Sequence, residues 1–306
     1  MYLGVDGGGT KTAFCLIDDD GAIVASARTA SIYYLMSGIE IVEPLLAQGV
    51  ADVCASAGIK PEDIAYAFFG IPCYGEVLPD VPKLDALPKT VLGTDRYRCG
   101  NDMICGWAGS LGAADGINVV AGTGSIAYGE NGERKSRAGG WGEIFGDEGS
   151  AHWVAIRGLN AFSKMGDGRL PRGPLAGILR ARLDLTDDLE IVDVVLNRWQ
   201  GDRAKIAALS TAVSEAADAG DTASADILRD AGRELAEMVD AEARVLEFGT
   251  QQLIPVSYSG GMLTSPLLLD SFRRSLDGRY DLREPLFPPD HGAALYAARL
   301  SNGPRT

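Results

Sequence analysis

Tyr2-Leu3-Gly4-Val5-Asp6-Gly7-Gly8-Gly9-Thr10-Lys11-Thr12-Ala13-Phe14-Cys15-Leu16-Ile17 is two apolar runs folded about a triple glycine. Residues 2–6 and 13–17 read as buried strands, because short apolar runs bounded by glycine have strand length rather than helix length. Gly7, Gly8 and Gly9 supply the turn. Glycines in such a turn let the backbone approach a ligand closely and present N–H groups to an anion. Thr10 and Thr12 add hydroxyls, Lys11 adds a mobile charge, and Asp6 ends the first strand, where it can position a magnesium ion through water. The turn is not a P-loop, in which lysine follows the last glycine at once, because Thr10 intervenes. It leads into a strand rather than a helix, so it is not a dinucleotide fingerprint either. An ordinary hairpin is the competing reading of these glycines taken alone.

Working outward, residues 22–27 read as a third strand after the turn at 18–21. A helix is expected from 39 to about 56, with Ile41, Leu45, Val50 and Val53 as a partial stripe and Gly58 as its stop. Residues 64–69 and 90–99 read as strands, and a helix begins near Asp102. The pattern then restarts. Residues 117–121 form an apolar strand, Gly122-Thr123-Gly124-Ser125 a glycine-rich turn, 126–128 a returning strand and 134–138 a third. Two halves that both open as strand, glycine turn, strand, turn, strand, about 115 residues apart, make a weak repeat of topology. Two unrelated hairpins would be the alternative. The second half continues with a helix at 222–248, a strand at 253–258 and helices at 265–276 and 290–300. With no low-complexity linker between them, domains 1–114 and 115–306 should pack across a cleft rather than hang on a tether.

A third turn, Gly260-Gly261-Met262, follows a strand and precedes a helix, a junction that admits a flat ring close to backbone. A plain strand-to-helix turn is as good a reading of it alone. Asn101-Asp102 lies after a strand and before a helix. Its carboxylate is either a helix N-cap or a base that orients a hydroxyl and accepts its proton during phosphoryl transfer.

The bulk composition excludes several function classes. A formal net charge of −14 repels phosphate backbones and anionic membranes, which argues against nucleic-acid binding. No apolar run of about 18 residues is present to span a membrane. The first residues show no basic leader, and the 5 cysteines are scattered without a CxxC pair. Both observations point to a reducing cytoplasm. The 2 histidines give little support for zinc.

The motifs GVDGGGTKT, Asn101-Asp102, AGTGS, GGWGEIFGDEGS and SGGM, in this order and over nearly the whole chain, resemble the sugar kinase, Hsp70 and actin superfamily. Within it the chain is similar to N-acetylglucosamine kinases and the related BadF-type ATPases. That resemblance implies a duplicated actin-like ATPase (ribonuclease H-like) α/β fold with two domains around a central cleft. It implies that Gly7, Gly8, Gly9, Thr10, Lys11 and Thr12 cradle ATP phosphates, with Asp6 helping to hold Mg2+. It implies that Gly122, Thr123, Gly124 and Ser125 form the second phosphate turn and that Gly260, Gly261 and Met262 lie at the adenosine. Asp102 matches the family's catalytic aspartate. Asn101, Asp102, Thr123, Gly140, Trp141, Gly142 and Asp147 correspond to residues that hold the sugar, the indole as a flat wall and the carboxylate as an acceptor of hydroxyls. His152 is read as structural.

The activity so implied is ATP-dependent phosphorylation of N-acetylglucosamine, glucosamine or a related hexose, to the 6-phosphate, by a homodimer. The kinases that act on N-acetylglucosamine commonly carry asparagine where this chain has Ile126, and again in the loop near residues 31–34, which reads Ser-Ile-Tyr-Tyr. The stretch 70–76 lacks the serine cluster of the animal enzymes. The alternative activity in the family is an activator ATPase of a 2-hydroxyacyl-CoA dehydratase or benzoyl-CoA reductase. Cys99 and Cys105 lie near the catalytic segment, but no compact cluster-binding pattern accompanies them.

Overall fold

The computed structural model describes residues 1–35, 37–249 and 252–303. The chain opens with β1 (Tyr2–Gly7), β2 (Lys11–Ile17) and β3 (Ile23–Ala30), followed by α1 (Val42–Ala57), β4 (Tyr66–Ile71), α2 (Val81–Leu92), β5 (Tyr97–Asn101) and α3 (Met103–Leu111). The strand pattern restarts with β6 (Gly116–Ala121), β7 (Ser125–Asn131) and β8 (Arg134–Gly139). Six helices follow: α4 (Ala151–Gly166), α5 (Pro174–Leu183), α6 (Glu190–Val192), α7 (Arg203–Ala208), α8 (Ser210–Asp218) and α9 (Thr222–Leu246). The chain continues with β9 (Ile254–Ser259), α10 (Pro266–Ser275), β10 (Tyr280–Arg283) and α11 (Pro289–Ser301).

The strands make two five-stranded sheets, ordered β3-β2-β1-β4-β5 and β8-β7-β6-β9-β10. Counted within each sheet, both follow the scheme 3-2-1-4-5, so the repeat of topology expected from the two glycine turns is present. In the first sheet β1 runs antiparallel to β2 and parallel to β4, and β4 runs parallel to β5. The chain divides into two compact units. Unit 1 comprises Met1–Asn118, Tyr128–Lys135 and Arg283–Thr306, and unit 2 comprises Val119–Ala127 and Ser136–Leu282.

Unit 1 buries both faces of its sheet, which is why β1, β2 and β4 read as continuous apolar runs. Leu3, Val5, Phe14, Leu16, Ala67, Phe69 and Ile71 pack with Val42, Leu46, Val50 and Val53 of α1 and Leu84 of α2. The alternate residues turn the other way. Phe68 packs with Cys105, Trp107 and Ala108 of α3 and Ala293, Tyr296 and Ala297 of α11, while Cys15 and Ile17 meet Ala294. On that side the helices approach backbone to backbone. A side chain at Gly4 would overlap Ala294 N and Asp290 O, and one at Gly292 would overlap the Gly109 backbone of α3. Buried Glu130 ties β7 and β8 to the same layer, accepting hydrogen bonds from Tyr128 and Tyr296 hydroxyls, both at 2.8 Å, and pairing with Lys135 at 2.9 Å.

The strand expected over residues 90–99 is corrected here. Residues 90–92 are the last turn of α2, which Gly93 closes in the left-handed region (φ 70°), and the strand starts only at Tyr97. Pro82 in the first turn and buried Pro88 inside the helix hide α2 from a reading that treats proline as a breaker. The expected stop at Gly58 is found, with φ 68°. Residues 261–264 are a 3-10 turn before α10 rather than its first turn.

The Gly292–Gly109 crossing sets a stability prediction. Gly292→Ala forces two backbones apart and should destabilise unit 1 by at least about 2 kcal/mol. An unchanged denaturant midpoint would show that α3 and α11 do not meet there.

Candidate active site

In unit 1, Asp6 pairs in register with Gly70, Gly70 with Gly100, and Ile71 with Asn101. Because β1, β4 and β5 are parallel, Asp6 and Asp102 emerge at one edge of the sheet, at the carboxyl ends of its strands, where open α/β sheets bind ligands. Gly70, in register between Asp6 and Gly100, carries no side chain there. A carbon on Gly70 would lie 3.2 Å from Asp102 Cα and would overlap the Cys105 sulfur.

Burial pushes the Asp6 carboxyl up to about 7, with the negative charges of Asp102 and Asp290 adding to the rise and Cys105 and Lys11 opposing it. Asp290 enters through the first turn of α11 and was not marked by any motif. Burial pushes Asp102 up to about 6, reinforced by Glu76 and opposed by the backbone N–H groups of Asp102 and Met103. Asp102 stands at the N-cap position of α3, but its side chain makes no cap. Asn101 does that work instead. Its Oδ1 accepts from Met103 N at 3.1 Å, and its Nδ2 donates to Tyr74 O at 3.3 Å.

The first glycine turn closes by Gly8 N donating to Lys11 O at 2.9 Å, and Ser31 Oγ donates to Gly8 O at 2.7 Å. Gly7 is crowded, since a side chain there would stand 2.7 Å from Gly70 O and Pro72 Cδ, whereas Gly9 faces open space. The N–H groups of exposed Gly9 and Thr10 have no backbone partner among the described residues. Thr12 is placed differently from its neighbours. Its hydroxyl is fully buried, donates to Ala30 O at 3.0 Å and accepts from Ile32 N at 3.2 Å, so it belongs to the sheet.

Among the described residues no three His, Cys, Asp or Glu side chains stand close enough to chelate a metal unaided. The donor set still fits a hydrated divalent cation. Asp6 is a carboxylate crowded by two others, and a cation held through water would relieve that repulsion.

In unit 2 the second turn is anchored by α4. Ala151 N donates to Gly122 O at 2.8 Å and His152 N to Thr123 O at 3.3 Å, so the helix N-terminus takes up the turn's carbonyls. Thr123 and Gly124 N–H groups are left without a partner among the described residues. Ser125 is buried and its Oγ donates to Glu148 O at 2.6 Å.

A cavity of about 860 Å³ opens beside this turn, lined by Gly122 and Thr123 and by Gly261 and Met262 of the third turn. Two of the three glycine turns therefore share one cavity. Its size lies in the ~300–1,000 Å³ range of small-molecule sites. Small side chains leave the room, among them Ala204, Ala207, Ala208, Ser210 and Ser214 of α7 and α8. Glu215, at its wall, is tied to Arg182 at 2.6 Å. Gly260 does not line the cavity. It lies under it with φ 101°, where a side chain would overlap Ala121 O. No motif marked the alanine and serine wall, since small residues on helices carry no sequence signal of their own.

The segment after β8 holds four of the residues matched to the sugar, Gly140, Trp141, Gly142 and Asp147. Trp141 is 64% exposed, with the Arg137 guanidinium 5.4 Å from its ring centroid, and Gly140 and Gly142 flank it with φ of 69° and 86°. Asp147 is not beside it in the open. It is buried, takes φ 55°, and its Oδ2 pairs with Arg203 Nη2 at 2.6 Å. His152 is buried on α4, and burial lowers its pKa.

The family described as the BadF/BadG/BcrA/BcrD ATPase family matches residues 3–297. The N-acetyl-D-glucosamine kinase of Dictyostelium discoideum is 29% identical over 97% of this chain and 97% of its own. The N-acetylmuramic acid/N-acetylglucosamine kinase of Clostridium acetobutylicum is 28% identical, over 91% of this chain and 90% of its own. Among solved structures, a candidate N-acetylglucosamine kinase of Chromobacterium violaceum superposes with a TM-score of 0.71 at 28% identity, covering 97% of this chain and 98% of that one.

A proton-accepting role for Asp102 has a pH signature. The group works ionised and its pKa is raised, so the rate should be full above pH ~7 and fall as pH drops through about 6. A kcat/KM profile flat from pH 7 to 5 would remove Asp102 from that role.

Proposed function

Because the chain belongs to the BadF/BadG/BcrA/BcrD ATPase family, we propose that it binds ATP and transfers the terminal phosphate to a hydroxyl of N-acetylglucosamine, glucosamine or a related hexose. The observation that carries this reading is the Asp102 carboxylate. It is held at the ligand-binding edge of the sheet and spent on no cap, and burial shifts it toward neutrality. The two kinases named above, similar over nine-tenths of this chain or more, support the sugar as acceptor.

In unit 2 the adenosine is taken by the cavity between Thr123 and Met262, and the phosphates by the N–H groups of the 122–125 turn. In unit 1 the free N–H groups of Gly9 and Thr10 and the Lys11 ammonium take phosphate oxygens. Asp6 would hold Mg2+ through its water shell, and the ion would supply neutralising charge at the phosphates. Asp102 accepts the proton of the attacking hydroxyl, and Asn101 fixes the strand end from which it projects. Trp141 offers its exposed ring to the apolar face of the sugar. We further place the enzyme in the cytoplasm as a homodimer that yields the 6-phosphate.

The activator ATPase reading finds less support. Cys99 and Cys105 are buried and donate to Leu84 O and Val5 O, and burial raises both thiols, which disfavours the thiolates a cluster would need.

Incubation with Mg-ATP and a panel of sugars should give ADP only when an accepted sugar is present. Hydrolysis indifferent to every sugar would overturn the kinase reading in favour of the activator. Asp102→Asn should lower kcat by about 10²-fold or more while sugar binding is kept. Separately, Ser214→Trp fills the cavity and should raise KM for ATP at least about tenfold with little change in KM for sugar. Unaltered ATP affinity would move the adenosine elsewhere.

A further inference from the structure

We propose that Arg203 positions the nucleotide polyphosphate at the 122–125 turn, held in place by Asp147 and Glu143. This rests on the reading of that turn as phosphate-binding and adds a cationic side chain to it. Gly124 has no side chain, and the space where one would project is occupied. A carbon there would stand 2.5 Å from Arg203 Nη2 and 2.7 Å from Asp147 Oδ2. The ion pair therefore lies directly on the turn whose Thr123 and Gly124 N–H groups have no partner among the described residues.

Arg203 enters from the start of α7 and is held at two points, Nη2 on Asp147 at 2.6 Å and Nε on Glu143 at 3.4 Å. A guanidinium has five N–H donors in a rigid fork. Its Nη1 edge has no partner among the described residues, and the side chain is 42% exposed.

Charge gives the arrangement its sense. Asp147 is buried, and a bare carboxylate beside Gly124 would repel a phosphate. His152, also coupled to Asp147, Glu143 and Arg203, supplies no compensating charge at neutral pH, because burial lowers its pKa. Arg203 both cancels Asp147 and presents its remaining donors at the turn. Asp147 itself holds a left-handed backbone, φ 55°, a conformation disfavoured for a residue with a side chain. Such strain persists where the surroundings fix it, and the bond to Arg203 is one such restraint.

The test separates phosphate from adenosine. Arg203→Met should raise KM for ATP about 10- to 100-fold and leave KM for sugar within about twofold. Adenosine, which has no phosphate, should bind this variant and the wild type alike. Arg203→Lys keeps the charge without the fork and should recover part of the loss. Asp147→Asn should raise KM for ATP alone, and should add little in the Arg203→Met background. A rise in KM for sugar with ATP unaffected would overturn the inference, and so would an equal loss of adenosine, which would mark Arg203 as structural. If the wild type bound adenosine but gained nothing from the phosphates of ATP, the phosphate-turn reading itself would fall, and the inference with it.

Discussion

Unit 1 depends on one close approach, that of α11 to β1 at Gly4. Backbone meets backbone there, with Asp290 O and Ala294 N in the space a side chain would need. The contact covers the sheet face that carries Cys15, Ile17 and Phe68, and it draws the first turn of α11 against the end of β1. Asp290 arrives beside Asp6 as a direct result. Burial raises the pKa of Asp6, and the charge of Asp290, brought there by this backbone packing, adds to the rise. Burial and like charge together favour a cation at that strand end, as they do wherever carboxylates converge in a partly dry site.

Much of this was legible in the sequence, and the physical reasons divide cleanly. Strands β1, β2, β6 and β7 could be read because sheets buried on both faces produce short unbroken apolar runs, and their turns because glycine clusters have few other uses. Asp102 could be named but its role could not be decided from spacing. An aspartate before a helix is an ordinary cap, and only the structure shows Asn101 accepting from Met103 N while the Asp102 side chain forms no helix cap. Helix α2 was missed because its prolines, one in the first turn and one buried inside, imitate a break. Thr12 and Ser125 sit in motif positions, yet their hydroxyls are spent on Ala30 O and Glu148 O. The cavity wall and Arg203 left no trace, since residues far apart along the chain meet there without any local pattern.

An acidic chain that handles a polyanion must solve its electrostatics locally. The net charge of −14 opposes ATP at long range, where salt screens it. At short range the proposed site offers neutral donors and individually placed cations. The 122–125 turn gives up its carbonyls to the first amides of α4, which leaves unspent N–H groups at Thr123 and Gly124. Lys11 lies at the first turn and Arg203 at the second, each beside a carboxylate that it offsets. Glu215 at the cavity wall is likewise balanced by Arg182.

The close packing of β1 against α11 also bears on how the chain is made. Strand β1 has its inner face covered by a helix roughly 280 residues behind it, and domains ordinarily fold as units in the order of synthesis. Unit 1 cannot follow that order. Its sheet can pair early, but the face bearing Cys15 and Phe68 stays bare while all of unit 2 is translated. The half that carries the proposed base is therefore sealed only after unit 2 has been made.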